Sequence, residues 1–490
     1  MTPRLPPALS RRDLIHCGAL ALGAAAFPLR LRAQGTGGIS PVMTTLSRYM
    51  ASAWDRALPP DVVEKAKHHI LDTLAAMLSG SQLPPGQAAI ALARMQAGRP
   101  SATIAGANIL TGPIDAALVN GVLAHADETD DSHGPSQSHP GAAIVPAALA
   151  LGEELNVSGE RCLRAIALGY DVGPRVTMAL GGPAFRDETR RSTHAIAGTF
   201  GAAAAAGCVA GLDEQQMRWL LDYASQQASG YAVWGRDTDH IEKAFVFGGM
   251  PARNGVTAAL LVRAGWSGVD DVFAGEDNFF RVNAPKADPA VLVDRLGDRF
   301  EIVNTDIKKW TVGTPIQAPL DAIENLRRRR PFDASDVKSV AVRLAPSVGA
   351  VVDNRDIPDI CLQHMVAIML IDKTVSFQAA HDQIRMEDAA VLHERRKVTY
   401  VPDPALSAQL PARVAIVEVT LNDGTQLTDR VDAVRGTVRN PMPRAEVIDK
   451  ARDLIAPVIG PGPAQKLIDV VFAIEKQREI RALRPLLQKS

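Results

Sequence analysis

The segment His125-Ala126-Asp127-Glu128-Thr129-Asp130-Asp131-Ser132-His133, followed by His139-Pro140-Gly141, lies between two strongly apolar stretches. Four carboxylates and three histidines fall within its 15 residues. Buried charges must be paired, metal-bound or exposed to a wet cleft, so a packed core cannot absorb such a run passively. The segment therefore reads as one wall of an active site, and the flanking apolar stretches decide the fold that carries it.

Those flanks are helical in period. Upstream, Ile114, Ala117, Leu118, Gly121, Val122 and His125 form one stripe, which places His125 on a buried face, where it reads as a core histidine. Downstream, Ile144, Ala148, Leu151 and Leu155 form another. Pro59 and Pro60 open a helix with the stripe Val63, Ala66, Ile70, Leu74 and Met77, closed by Gly80. Ser158 has the position of an N-cap for a helix through Leu163, Ile166 and Tyr170. The Ala/Gly-rich run 195–210 reads as a central helix packed closely on its neighbours, and 212–227 and 251–265 complete an all-helical block.

After about residue 300 the period changes. Residues 337–344 and 412–421 alternate, Asn422-Asp423-Gly424 has the composition of a hairpin turn, and 426–434 returns. Helical stretches at 318–329 and 362–370 are interleaved, and the tail 444–487 is helical again. The expected architecture is mainly α: an all-helical domain from 40–303 and 440–490, with a smaller α+β lid domain at 304–439.

Composition excludes several classes of function. The formal net charge is −1, so no global field draws the chain to nucleic acid or to an anionic membrane. The run Arg327–Arg330 precedes a proline and suits a solvent-facing helix C-terminus. Residues 1–35 contain Ser10-Arg11-Arg12-Asp13 ahead of a short apolar stretch, the pattern of a cleaved twin-arginine export signal. Export would place the mature protein in the periplasm, free of the membrane; an unused signal would leave it in the cytoplasm. Cys162, Cys208 and Cys361 are widely spaced, giving neither a disulfide framework nor a zinc pattern. Gly198-Thr199-Phe200-Gly201 lacks the spacing of a dinucleotide fingerprint.

The order of motifs resembles the MmgE/PrpD family, which includes 2-methylcitrate dehydratase, cis-aconitate decarboxylase and iminodisuccinate epimerase. The resemblance rests on the acidic segment, on His139-Pro140-Gly141, and on 146–153. It extends through Gly169-Tyr170-Asp171 with Arg175, Gly198–Gly201, Lys243 ahead of Ala252-Arg253-Asn254-Gly255, and Lys308-Lys309-Trp310. It covers about residues 45–480 and implies a homodimer that acts without metal or organic cofactor on small polycarboxylates. The implied chemistry is proton transfer at a carbon next to a carboxylate, as in a hydro-lyase, a decarboxylase or an epimerase.

Carried over residue by residue, the resemblance makes His139 the general base or acid and Lys243 and Lys308 the cations that hold substrate carboxylates. Glu128, Asp130, Asp131 and Ser132 match the acidic loop, with Ser132 in place of a commoner threonine and Asp131 orienting a histidine. Two positions depart from the family pattern. Ser192 stands at the spacing of the second histidine, with His194 two residues later, and His364 stands where a tyrosine is usual. A histidine titrates near neutrality where a phenol does not, so the proton inventory differs.

Two other classes compete with this reading. One is a metal-dependent hydrolase built on His125, Asp127, Asp131, His133 and His139. The other is an exported protein that binds a polycarboxylate without turning it over.

Overall fold

Proline is the usual helix starter in this chain. The computed structural model describes residues 38–96 and 98–489, so the expected export signal lies outside the described residues. In it the helices α1 (Pro41–Ser52), α2 (Pro60–Gly80), α3 (Pro84–Met95), α4 (Pro113–Ala124) and α5 (Pro140–Leu155) all open on a proline. Proline at the first helical position gives up an N–H that has no partner there, and its φ is already helical. There follow α6 (Gly159–Leu180), capped as expected by the Ser158 side chain, α7 (Pro183–Thr189), α8 (Thr193–Ala210) and α9 (Glu214–Gln227). The continuous helix α10 (Ile241–Arg263) widens into a π turn at Phe245–Gly249.

The later part of the chain contributes α11 (Thr314–Arg329), α12 (Leu362–Asp372), α13 (Phe377–His381), α14 (Arg444–Ile459) and α15 (Pro461–Phe472). The whole is mainly α with a small mixed sheet. That sheet runs β4 (Val398–Pro402), β3 (Val337–Leu344), β5 (Ala415–Leu421), β6 (Gln426–Val431), with β3–β4 parallel and the other pairs antiparallel. In β5 the residues Ala415, Val417, Val419 and Leu421 are buried in alternation, the signature of a strand with one face on a core.

Two corrections to the sequence reading follow. The helical block also contains a hairpin, β1 (Ala102–Ile104) paired with β2 (Ile109–Thr111). Strands of three residues are too short to register as alternation. β4 also escaped the sequence reading; it is a five-residue edge strand that ends on Pro402, which limits further pairing.

The buried apolar side chains form two large clusters. One draws on residues 43–307 together with 442–487, and the other on 310–434. Cys162, Cys208 and Cys361, the cysteines among the described residues, are free and buried. α8 is long and apolar enough to cross a membrane, yet it is entirely buried, packed chiefly on α5, α6 and α10. Its glycines allow this: Gly201 packs on Gly169 and Gly173 of α6 at distances that leave no room for a Cβ.

The same device sets the position of the π turn. Gly248 meets Gly121 of α4 so closely that a Cβ on either would run into the other's carbonyl oxygen. Backbone is the obstacle, so a side-chain rotation cannot relieve it. Gly248→Ala is expected to lower stability by about 1–3 kcal/mol, the usual range for overpacking, read as a fall in denaturation midpoint. An unchanged midpoint would show that the helices are free to separate here.

Candidate active site

The acidic segment follows α4 and ends where α5 begins. Its last residue, His139, precedes Pro140, and the residue before a proline is held out of the helical region; its φ is −114° and ψ 81°. The backbone thus turns His139 away from the helix it precedes. The helix start is satisfied from elsewhere, by Asp131, whose Oδ1 accepts the Gly141 N–H at 3.0 Å.

Each carboxylate of the segment recruits a different part of the chain. Asp130, fully buried, accepts from His125 Nδ1 at 2.9 Å and from His139 Nδ1 at 3.1 Å. Burial alone would raise its pKa, but the two histidines outweigh that and hold the carboxyl well below the usual range. With Asp130 accepting at both Nδ1 atoms, each ring keeps a basic Nε2, a tautomer assigned from the hydrogen bonds. His125 is fully enclosed; His139 retains some exposure and is the ring placed to meet a substrate.

Glu128 binds both expected lysines. Lys243 of α10 pairs with its Oε1, and Lys308 donates to its main-chain carbonyl at 2.8 Å and lies 3.3 Å from Oε2. Lys308 also stands 3.8 Å from Asp130 Oδ1. Burial would raise Glu128, and the two lysines reverse this and lower it well below the ordinary value. Lys309 points elsewhere, to Glu324 at 2.6 Å.

Asp131 meets His69, not His139. Its Oδ2 accepts from His69 Nδ1 of α2 at 2.9 Å and from the Tyr170 hydroxyl of α6. It therefore orients His69 and anchors α5, whereas Asp130 orients His139. Asp127 pairs with His381 of α13 at 3.1 Å. Ser132 exchanges main-chain hydrogen bonds with Asp306, at 2.9 and 2.8 Å.

His194 joins the cluster although it sits off the family's spacing. Ser192 caps α8, so His194 falls in the helix's first turn with its ring flat on Phe247, centroids 3.8 Å apart. Its centroid is 5.2 Å from that of His139. Burial first, then the charges of His139 and His125, push it well below its ordinary value, so it is neutral. His364 is not brought to the cluster. It is buried in α12 and acted on by Arg395, Arg385 and Asp382; burial and the two arginines lower it to about 4.

Sequence reasoning missed His69, His240 and His381. His240, in a left-handed conformation with φ 64°, holds its ring 5.3 Å from His125 and is lowered to about 3 by burial and then by Lys243. His69 and His381 sit in ordinary helical contexts that give no local signal. His125, read as a core histidine, is buried as such and shares Asp130 with His139.

The metal reading loses its ligand set. Asp131 is committed to His69, Asp127 to His381, and His133 to Ser136 at 2.7 Å. Among the described residues the donor groups that do converge are His125, Asp130, His139 and His125, Glu128, His240. Lys243 and Lys308 already supply the cations for their carboxylates. The donor chemistry thus fits proton transfer between charged side chains better than a cation cage.

Comparison with known proteins defines an enzyme of the lyase or decarboxylase kind. The chain belongs to the MmgE/PrpD family: the MmgE/PrpD N-terminal domain matches residues 44–292 and the C-terminal domain residues 310–476. A cis-aconitate decarboxylase of Aspergillus terreus is 28% identical over 462 residues, covering 88% of this chain and 92% of that protein. A cis-aconitate decarboxylase of Homo sapiens is 27% identical over 448 residues, covering 87% and 90%. One of Mus musculus is 25% identical over 455 residues, covering 88% and 90%.

Two expectations test this geometry. Asp130→Asn would present an amide to two Nδ1 atoms and disturb both tautomers. The turnover number should fall by about 10²–10⁴-fold with little change in KM, measured by steady-state kinetics. An undiminished rate would remove Asp130 from the proton path. The second concerns the Asp127–His381 pair. Burial alone would lower His381, but Asp127 reverses this and raises it to about 9 from an ordinary 6.5. A raised histidine stabilises fully below about pH 6.5, and that contribution fades as the pH climbs through about 9. Asp127 is lowered, so loss on the acid side sets in only below its ordinary 3.8. His381→Gln should therefore cost about 3 kcal/mol at pH 6 and clearly less at pH 10, read from denaturant midpoints. An equal cost at both pH values would mean that the pair carries no charge interaction.

Proposed function

We propose that this protein is a cofactor-independent lyase or isomerase acting on a small di- or tricarboxylic acid at a carbon next to a carboxylate. The observation that carries the reading is the pair His125–His139 bridged by Asp130, set beside two lysines that share Glu128. The substrate class draws on the names of the relatives, cis-aconitate decarboxylases, and a cis-aconitate-like tricarboxylate is the first acid to test.

Removal of a proton or of carbon dioxide next to a carboxylate leaves an electron pair that the carboxylate must delocalise. Lys243 and Lys308 stabilise that charge as it grows, which is where a buried cation contributes most. In decarboxylation the carbon–carboxylate bond breaks, its electrons stay on the carbon skeleton, and a protonated His139 delivers the proton that quenches them. In elimination or epimerisation His139 first takes the proton through Nε2, and Asp130 stabilises the imidazolium. Neutral His194, in ring contact with Phe247 beside His139, supplies a second donor or acceptor without adding charge. The expected homodimer, and export through residues 10–27, stand with this reading on the family resemblance and on the paired Arg11 and Arg12.

The test is proton NMR of the purified protein in deuterated buffer with cis-aconitate, citrate, 2-methylcitrate, malate and aspartate derivatives. Deuterium entering the substrate's carbon skeleton, with or without a new product, is expected for at least one acid and should vanish in His139→Ala. Absence of both exchange and product with every acid, in a folded protein that binds one of them, would favour the ligand-binding alternative.

A further inference from the structure

A cavity opens between the two hydrophobic clusters, lined in part by Ser132, Lys308, Gln317 and Arg413. Lys308 connects it to the proton-transfer group: this lysine lines the cavity and stands 3.8 Å from the Asp130 carboxylate that holds His139. Three arginines line it, and they differ in how they are satisfied. Arg435 forks onto Glu446 at 2.8 and 2.6 Å, and exposed Arg439 donates to the Asp432 carbonyl at 3.4 Å. Arg413, half-buried just before β5, has no hydrogen-bond or ion-pair partner among the described residues.

Arg413 also faces a like charge. Arg186 of α7 acts on it, and among the described residues the Arg186 side chain donates to the neutral Gln137 side chain, at 2.9 Å, in the loop that ends at His139. Burial, with Arg186 adding to it, lowers the Arg413 guanidinium below its ordinary value. Two half-buried guanidinium groups without a carboxylate partner among the described residues, one on the cavity wall beside Lys308 and the other tied to the loop before His139, call for an anion. A guanidinium fork matches a carboxylate in two parallel hydrogen bonds, where an ammonium offers a point charge.

We infer that Arg413, backed by Arg186, is the subsite for a second, distal carboxylate of the substrate, while Lys243 and Lys308 hold the one next to the reacting carbon. The inference rests on the reading of His139 as the proton-transfer group. Because Arg413 has no hydrogen-bond or ion-pair partner among the described residues, its replacement should leave the thermal midpoint unchanged or raise it.

The experiment pairs kinetics with binding of an unreactive probe, propane-1,2,3-tricarboxylate, followed by calorimetry. Arg413→Gln is expected to raise KM for the tricarboxylate, and weaken the probe, by about ten-fold or more, with kcat far less affected. The penalty should shrink to about two-fold for an analogue whose distal carboxylate is an amide. Arg413→Lys, which keeps the charge and loses the fork, should fall between. Equal affinity of the natural protein and Arg413→Gln for the probe would overturn the inference, and so would an equal penalty on the amide. Should Arg413→Gln fail to fold, Arg413→Lys indistinguishable from the natural protein would overturn it too. Turnover with an unchanged KM in Arg413→Gln would sink the subsite and leave the proton-transfer reading standing. Probe binding that depends on Arg413, with no acid turned over, would do the reverse. Failure of the natural protein to bind the probe or turn over any acid would sink both.

Discussion

A carboxylate that stays ionised in a buried site needs a partner, and the segment from His125 to His139 buries four carboxylates. Leaving one ionised and unpaired would cost several kcal/mol, comparable to a large share of a domain's net stability. Asp127 takes His381, Glu128 takes Lys243 and Lys308, Asp130 takes His125 and His139, and Asp131 takes His69 and Tyr170. The partners come from α2, α6, α10, α13 and the stretch before α11. The C-terminal α14 adds Lys450, which pairs with Asp72 at 2.6 Å and donates to the Thr129 carbonyl at 2.9 Å. Electrostatic satisfaction of one segment therefore dictates where helices far apart in sequence must converge.

That convergence explains what was and was not legible in the sequence. The helices were legible because their signal is local: the stripe from Val63 to Met77 needs only the period of one helix, and the Ser158 cap needs only its own first turn. The β5–β6 hairpin was legible through Asn422-Asp423-Gly424. The identity of each carboxylate's partner was not, because His69 lies 62 residues from Asp131 and Lys308 lies 180 from Glu128. Nothing in the neighbourhood of His69 distinguishes it from any other histidine on an apolar helix.

Asp130 and Asp131 show the limit most sharply. They are adjacent, chemically identical and both buried, and only the direction of each side chain separates their roles. One points to the two histidines of the site, the other to the start of α5 and to α2. The difference is set by Pro140, which holds His139 extended and leaves the Gly141 N–H in need of an acceptor. A motif match could place both residues in the site, yet it could not divide the labour between them. His194 is the converse case: its spacing departs from the family's, but the Ser192 cap and the Phe247 face bring its ring to His139 all the same.

The charge inventory of the finished site bears on its chemistry. Burial keeps His194 and His240 neutral, so they cannot neutralise substrate charge, and the fixed cations within the cluster are Lys243 and Lys308. Both already face Glu128, and Lys308 faces Asp130 as well. Two lysines against two ionised carboxylates leave no surplus positive charge for a substrate that itself carries two or three negative charges. An acid of that kind entering this site needs cations beyond the cluster, and Arg413 and Arg186 are the nearby groups without a carboxylate of their own among the described residues. The histidine cluster thus supplies mobile protons, the lysines hold the carboxylate at the reacting carbon and respond to charge that develops there, and the substrate's remaining charge must be met across the cavity.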